Sequence, residues 1–223
     1  MKAERHLAVV EVRDGAPLRA SAYEAIKRRI ISLKYRPGAY LNASQVSAEL
    51  GLGRTPVNQA LSRLVHEGMV EVIPRKGVIV RPVSLEEVMA IIDARMVNEL
   101  HCVRLAVERA SDAELDELEA IVARAESHTP NRDIEALMLL DREFHIRLSR
   151  ASRNPALAEI LLSLQERSLR FWFVSLSDEK HLEAVQREHH AIVECLRARD
   201  AEGIGAAMRA HIDSFRATIM KSL

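Results

Sequence analysis

The chain has 223 residues, a length that allows one large domain or two small ones. Hydrophobic residues make up 48% of it, aromatic residues only 4% and charged residues 29%, the Ala/Leu/Glu/Arg-rich usage of a helical globular protein, which excludes a disordered chain and disfavours a β-sandwich. No apolar run approaches the ~18 residues of a membrane span and the run from Leu7 to Val10 is too short for a secretory core, so the expected location is the cytoplasm, with no membrane partner. Two cysteines, Cys102 and Cys195, are too few for a disulfide scaffold or a multi-cysteine zinc site, leaving His and carboxylates as metal ligands. The net charge of +0 hides an asymmetry: residues 1–82 carry 14 Lys and Arg against 7 Asp and Glu, and the remainder carries 18 against 25. A basic front half on an acidic back half points to a nucleic-acid module joined to something else.

In chain order, Ala22, Ile26, Ile30 and Leu33 recur at helical spacing up to the breaker Tyr35-Arg36-Pro37-Gly38. A second helix is expected after Asn42 as N-cap, with Gln45 three residues on, Val46 and Leu50 as its apolar stripe and Gly51 as its end. The turn Gly51-Leu52-Gly53 then leads to Thr55-Pro56, read as an N-cap with proline at the first helical position, and the third helix runs to Gly68. Its faces separate: Val57, Ala60, Leu61 and Leu64 lie on one side, and Thr55, Asn58, Gln59, Ser62, Arg63 and His66 on the other. Two short helices joined by a glycine turn, the second with a polar face free of acid until Glu67, fit a helix-turn-helix reader. Two β-branched runs follow, from Met69 to Ile73 and from Val78 to Arg81, around the basic turn Pro74-Arg75-Lys76-Gly77. This predicts a wing, with Arg75 and Lys76 along phosphates and Gly77 allowing close backbone approach to the minor groove.

The stretch from Pro37 to Gly77, PGAYLNASQVSAELGLGRTPVNQALSRLVHEGMVEVIPRKG, resembles the GntR family of bacterial transcription regulators, most specifically in its R-T-P-V…A-L…L…G core at Arg54 to Gly68. The resemblance implies that Arg54 and Thr55 make base and phosphate contacts at the start of the recognition helix and that Gly77 is the wing tip. The full DNA-contacting set is then Ser44, Arg54, Thr55, Asn58, Gln59, Arg63, Arg75, Lys76 and Gly77. The family usually has Arg-Glu where this chain has Asn58-Gln59, an amide suited to adenine or a water in place of a guanidinium that forks onto guanine.

Beyond Pro82 the capping boxes Ser84-x-x-Glu87 and Ser111-x-x-Glu114 open two helices, Thr129-Pro130 and Asn154-Pro155 open two more, Ser177 starts a fifth, and a turn from Asp200 to Gly205 precedes the last. Six helices without a strand make an antiparallel bundle, so the expected fold is mainly α: an arm at 1–18, a winged helix-turn-helix domain at 19–82 and an all-α effector-binding and dimerisation domain at 83–223. Seven of the nine histidines lie in this half. Asp141 and His145 stand at i, i+4 on one helical face, at the separation two ligands of one metal require. His189 falls near the stripe Val185, Ile192 and Leu196, and His211 between Met208 and Phe215, so both point inward. Three imidazoles and a carboxylate converging in a bundle suit zinc, with nickel or manganese as alternatives; a buried polar cluster without metal remains open.

Asp141-Arg142-Glu143-Phe144-His145, Asn154-Pro155, Glu188-His189 with Ile192, and Arg199-Asp200…Met208-Arg209-Ala210-His211 resemble the FCD effector domain of the FadR branch, and six helices resemble the VanR-like subgroup. The resemblance implies metal ligation by Asp141, His145, His189 and His211, and an effector site at Arg95 and Glu99 that takes a small carboxylic acid. The protein is then expected to be a homodimer on an inverted-repeat operator in double-stranded DNA. On this reading Arg95→Ala spares metal and DNA binding and abolishes the effector response. Two other readings use the same residues: a sensor of the metal ion itself, and a metal-dependent hydrolase with Glu188 as the nearest general base. The hydrolase is disfavoured because neither H-E-x-x-H nor the Glu-x-x-His pair of di-iron bundles occurs.

Overall fold

The structure, a computed structural model, describes residues 16–82, 84–175 and 179–222. The arm at 1–18 therefore lies almost wholly outside the described residues, and Ser177 as a helix start lies outside them too.

The first half is a three-helix unit with a small sheet. Helix α1 (Ala16–Ile31) lays Ala22, Tyr23, Ile26 and Ile30 on the core. It stops short of the expected Leu33, whose backbone takes the left-handed conformation at φ 54. Strand β1 (Tyr40–Leu41) precedes α2 (Ala43–Leu50), which Asn42 caps by accepting the amides of Ser44 and Gln45 at 2.9 and 3.3 Å. Gly51 ends α2 at φ 65, a left-handed residue that glycine adopts without steric cost.

Helix α3 (Arg54–His66) begins two residues earlier than expected: Gly53 is the N-cap and Thr55 is already helical. Pro56 remains within the first turn, where no backbone N–H has an intrahelical partner, so the proline signal holds for either register. The helix closes at His66 with Glu67 as C-cap, just short of Gly68. Val57, Ala60, Leu61 and Leu64 are all buried, as the apolar spacing requires. Strands β2 (Val70–Ile73) and β3 (Gly77–Val80) form the wing in antiparallel register, Val70 opposite Val80 and Ile73 opposite Gly77. The sheet order is β1-β3-β2, because β1 pairs Tyr40 with Ile79. A two-residue strand shows no periodicity, and only the tertiary pairing reveals it.

The second half is the six-helix bundle: α4 (Leu85–Arg109), α5 (Asp112–His128), α6 (Ile134–Ala151), α7 (Pro155–Ser175), α8 (Glu179–Arg197) and α9 (Gly203–Ser222). Ser84 accepts the Glu87 amide at 3.1 Å, and Ser111 and Glu114 form a complete capping box. Asn154 accepts the Leu157 amide at 3.1 Å ahead of Pro155. Thr129-Pro130 works differently from the expectation, ending α5 rather than starting α6, since a proline just past a helix terminus serves equally as a stop. Asp133 starts α6 by accepting the Ala136 amide at 3.1 Å. α4 packs against α6, α7 and α9, and α8 closes the bundle between α5 and α9. Their apolar faces share one core that runs from Val88 to Ile219. Among the described residues no helix is long and apolar enough to cross a membrane.

Candidate metal centre and nucleic-acid face

Ser44, Arg54, Thr55, Asn58 and Gln59 are exposed along the starts of α2 and α3, while Arg75, Lys76 and Gly77 are exposed at the wing turn. Arg75 holds φ 65 and Gly77 φ 104, and a side chain added at Gly77 would meet open space, so the glycine serves backbone conformation and access rather than packing. Arg63 differs from the rest. Its guanidinium lies 3.7 Å from the Tyr23 ring centroid and its Nε donates to Glu67 at 3.0 Å, while the side chain stays exposed.

In the bundle, the i, i+4 pair on α6 and the inward positions on α8 and α9 do meet. Asp141, His145, His189 and His211 are all buried, and one ligand atom from each lies within 4.8 Å of the others. His145 Nε2 is 3.6 Å and His189 Nε2 3.4 Å from Asp141 Oδ1, and His211 Nε2 is 3.2 Å from His145 Nε2. Phe144, between two of the ligand positions on α6, stacks on His189 at 4.2 Å between centroids and walls the cluster off.

The reverse sides of the rings decide what the cluster can hold. His211 Nδ1 is hydrogen-bonded to Glu188 Oε2 at 2.9 Å, and His145 Nδ1 lies 3.1 Å from Glu99 Oε2 in an ion-pair contact, so the Nδ1 side of each ring faces a carboxylate. Both Nε2 lone pairs then face one another at 3.2 Å, an arrangement relieved by a shared proton or a cation. Asp141 Oδ1 and His189 Nε2 are buried without a hydrogen-bond partner, while the second oxygen of Asp141 accepts from Gln165 Nε2 at 2.9 Å. Unsatisfied acceptors aimed at one point, backed by oriented donors, fit a divalent transition metal.

Charge follows the same pattern. Burial, with His211 and His145 beside it, holds His189 well below the usual imidazole range. Burial raises Asp141 despite the neighbouring imidazoles. Burial opposes ionisation of Glu99 as well, but Arg95 and His145 outweigh it and hold that carboxyl far below the usual range. Arg95 sits one turn before Glu99 on α4 at 1% exposure, donates Nε to Glu99 at 2.6 Å, and keeps Nη1 buried without a partner among the described residues. Glu99 thus accepts from Arg95 on one oxygen and faces His145 with the other, between the expected effector residue and the cluster. A narrow cavity lined by Glu99, Cys102, His145, Gln165 and Met208 adjoins it.

Sequence reasoning missed Gln165 altogether and gave Glu188 a different role. The position of Glu188 beside His189 marked it, but its partner is His211 across the α8–α9 interface, a pairing that spacing within one helix cannot show.

Comparison with known proteins places both halves. The FCD domain family matches residues 90–214, and the bacterial regulatory proteins of the gntR family match residues 18–80. The Nta operon transcriptional regulator of Aminobacter aminovorans is 31% identical over 184 residues, covering 82% of this chain and 85% of its own. The HTH-type transcriptional regulator McbR of Escherichia coli K12 is 28% identical over 171 residues, 75% of this chain and 77% of that one. The solved structure of E. coli McbR/YncC superposes with a TM-score of 0.83 over 92% of this chain and 97% of its own, at 24% identity, and so shares the fold. This chain belongs to the GntR family of bacterial regulatory proteins, a DNA-binding transcriptional regulator with an FCD domain and not an enzyme.

Proposed function

We propose that the second half, from about residue 83 onward, is a receptor for a small carboxylic acid built around a metal held by Asp141, His145, His189 and His211, and that the protein binds an inverted-repeat operator as a homodimer in the cytoplasm. The carrying observation is the convergence of four buried ligand atoms within 4.8 Å, two of them on imidazoles whose other nitrogens are tied to carboxylates. Three nitrogens and one oxygen suit zinc first, with nickel or manganese as alternatives. When bound, the metal supplies a Lewis-acidic centre to which a carboxylate can attach. The chain's own residues do the rest: Glu99 and Glu188 fix the ring orientations, Phe144 shields the cluster, and the unpartnered Nη1 of Arg95 offers a buried donor to an anion.

At the other end, Ser44, Arg54, Thr55, Asn58, Gln59, Arg75, Lys76 and Gly77 form the DNA face, with the first two helical residues and the amides reading bases and the wing following phosphates. Arg63 belongs to the same exposed side of α3, braced by Tyr23 and Glu67. One recognition helix reads only a few base pairs, so two-fold symmetry supplies the remaining contacts.

Elemental analysis of the purified protein, thermal shifts with a panel of mono-, di- and tricarboxylates, and operator selection from a random duplex pool test this together. The expected results are near-stoichiometric metal, a shift with at least one acid that vanishes in His211→Ala, and a palindromic selected site. Protein that answers chelator but no organic acid is a sensor of the ion itself, and a metal-free protein with an intact fold refutes the receptor.

A further inference from the structure

Three consecutive residues of α7 reach three different parts of the molecule, because successive side chains on a helix diverge by about 100°. Gln165 donates to the metal-ligand candidate Asp141 at 2.9 Å. Glu166 pairs with Lys27 of α1 and with Arg142 of α6, the residue next to Asp141. Arg167 donates to Glu87 at the start of α4 at 3.1 Å, and Glu87 lies 3.7 Å from Arg81 at the end of the wing.

The Glu166 branch leads to the recognition helix without a gap. Lys27 is 2% exposed and donates Nζ to the Tyr23 hydroxyl at 2.7 Å. Tyr23 donates in turn to both Glu67 oxygens at 2.7 and 2.9 Å, and Glu67 holds Arg63, which stacks on Tyr23. A buried ammonium cannot part from its carboxylate without leaving a desolvated charge unpaired, so α1 and α7 move together. Gln165 and Glu166 share one backbone, and a shift of the Asp141 carboxylate that turns Gln165 also displaces Glu166.

We propose that the Gln165-Glu166-Arg167 segment of α7 is the positioning element that transmits the state of the effector pocket to the DNA face, with Glu166–Lys27–Tyr23–Glu67–Arg63 as the line to the recognition helix and Arg167–Glu87–Arg81 as the line to the wing. Coupling of this kind needs an element that contacts both sites and whose position each can bias, and α7 makes the contacts. The inference deepens the receptor reading, and one arm of its test rests on that reading.

Hydrogen–deuterium exchange on the full metal-free chain reads it, with the pocket perturbed in two ways: addition of zinc chloride, and Asp141→Ala, which removes the acceptor of Gln165. In the wild-type background each perturbation changes exchange in peptides covering 21–31 and 54–67 by about threefold or more. In Glu166→Gln, and in Lys27→Met/Glu166→Gln, which removes both charges so that neither is stranded, those distant changes fall below about 1.5-fold. Zinc binding and the local changes at 137–149 and 185–196 persist. Undiminished propagation in the variants, or no distant change on Asp141→Ala in the wild-type background, overturns the relay. Failure of the metal reading looks different: no zinc is retained and zinc leaves 137–149 unchanged, and the Asp141→Ala arm then decides the relay by itself.

Discussion

Arg95→Ala is the substitution for which sequence and structure give opposite forecasts. An Arg four residues before a Glu on a solvated helix face contributes a few tenths of a kcal/mol, and its loss leaves metal binding untouched. Here both side chains are buried, Arg95 at 1% and Glu99 at 5% exposure, with Nε–Oε1 at 2.6 Å. Removing one partner of a buried pair strands the other, at a cost of about 3–5 kcal/mol out of the ~5–15 kcal/mol that holds a typical domain. At ~2–4 °C per kcal/mol for a chain of this size, the metal-free protein should melt roughly 6–20 °C lower. The stranded Glu99 carboxyl also ceases to be a dependable acceptor for His145 Nδ1, 3.1 Å away, so zinc affinity should fall by about 10- to 100-fold, the usual cost of losing a partner behind a ligand. Arg95→Met/Glu99→Leu, which removes both charges, should recover most of the melting temperature but not the affinity. Circular dichroism melts in chelator and a competitive zinc titration measure the two effects. A loss under ~2 °C with unchanged affinity would show the pair to be wet and the burial argument wrong.

Acidity offers a separate test of the cluster. His189 is held below the ordinary imidazole value of 6.5, so below that pH the unfolded chain binds more protons than the folded one, and metal-free stability should decline as pH falls through about 6.5. Burial raises Asp141 instead, a contribution of opposite sign that His189→Asn leaves in place. His189→Asn should flatten this limb in denaturant titrations at pH 7 and pH 5.5, and an unaltered limb would mean that the ring is solvated. In the helix-turn-helix, Asn42→Ala loses acceptor bonds to two amides and should cost about 1 kcal/mol. Gly51→Ala should cost a similar ~1 kcal/mol from its left-handed backbone alone, since nothing crowds the added carbon. On DNA, Lys76→Ala should weaken all sequences alike and lower the salt slope by about 1, whereas Asn58→Ala should change which operator variants are preferred; a preference left intact would take Asn58 off the base edges.

What the sequence makes legible is whatever a single helix or turn encodes. The burial of Val57, Ala60, Leu61 and Leu64 follows from 3.6-residue spacing, and the caps at Asn42, Ser84, Ser111 and Asn154 follow from side chains that accept backbone amides within three residues. Asp141 and His145 share a face for the same reason. The errors fall where one local signal serves two structures: Thr129-Pro130 ends a helix, and Thr55-Pro56 tolerates a cap two positions earlier. The larger omissions are contacts between elements. Lys27 reads as one more surface cation on a basic α1, and only the packing of α1 on α7 shows it buried against Glu166. Arg63 points away from the core as its spacing demands, and only the structure shows its contact with the ring of Tyr23, 40 residues earlier in the chain.

The carboxylates around the cluster also bear on whether a metal held there would bind a ligand or turn it over. Hydrolysis at a metal requires a base free to take a proton from bound water, within hydrogen-bond reach of it. Among the described residues the acidic groups packed against the imidazoles are Asp141, Glu99 and Glu188, and none is free for that role. Asp141 offers one oxygen to the cluster and receives Gln165 on the other. Glu99 is paired with Arg95 through one oxygen and lies 3.1 Å from His145 Nδ1 with the other, and its depressed proton affinity makes it a poor base even if water reached it. Glu188, the residue the sequence marks as the best base, sits behind His211 at 2.9 Å, on the far side of the ring from the converging Nε2 atoms. In the receptor proposed above, each carboxylate would set a ligand's orientation or tautomer, which would leave no group to move a proton. A Glu188→Gln variant separates the two roles. In a receptor it should loosen zinc by about 10- to 100-fold through the loss of its hold on His211, and the carboxylate-induced thermal shift should return at saturating zinc; in a hydrolase that shift would be indifferent to the change.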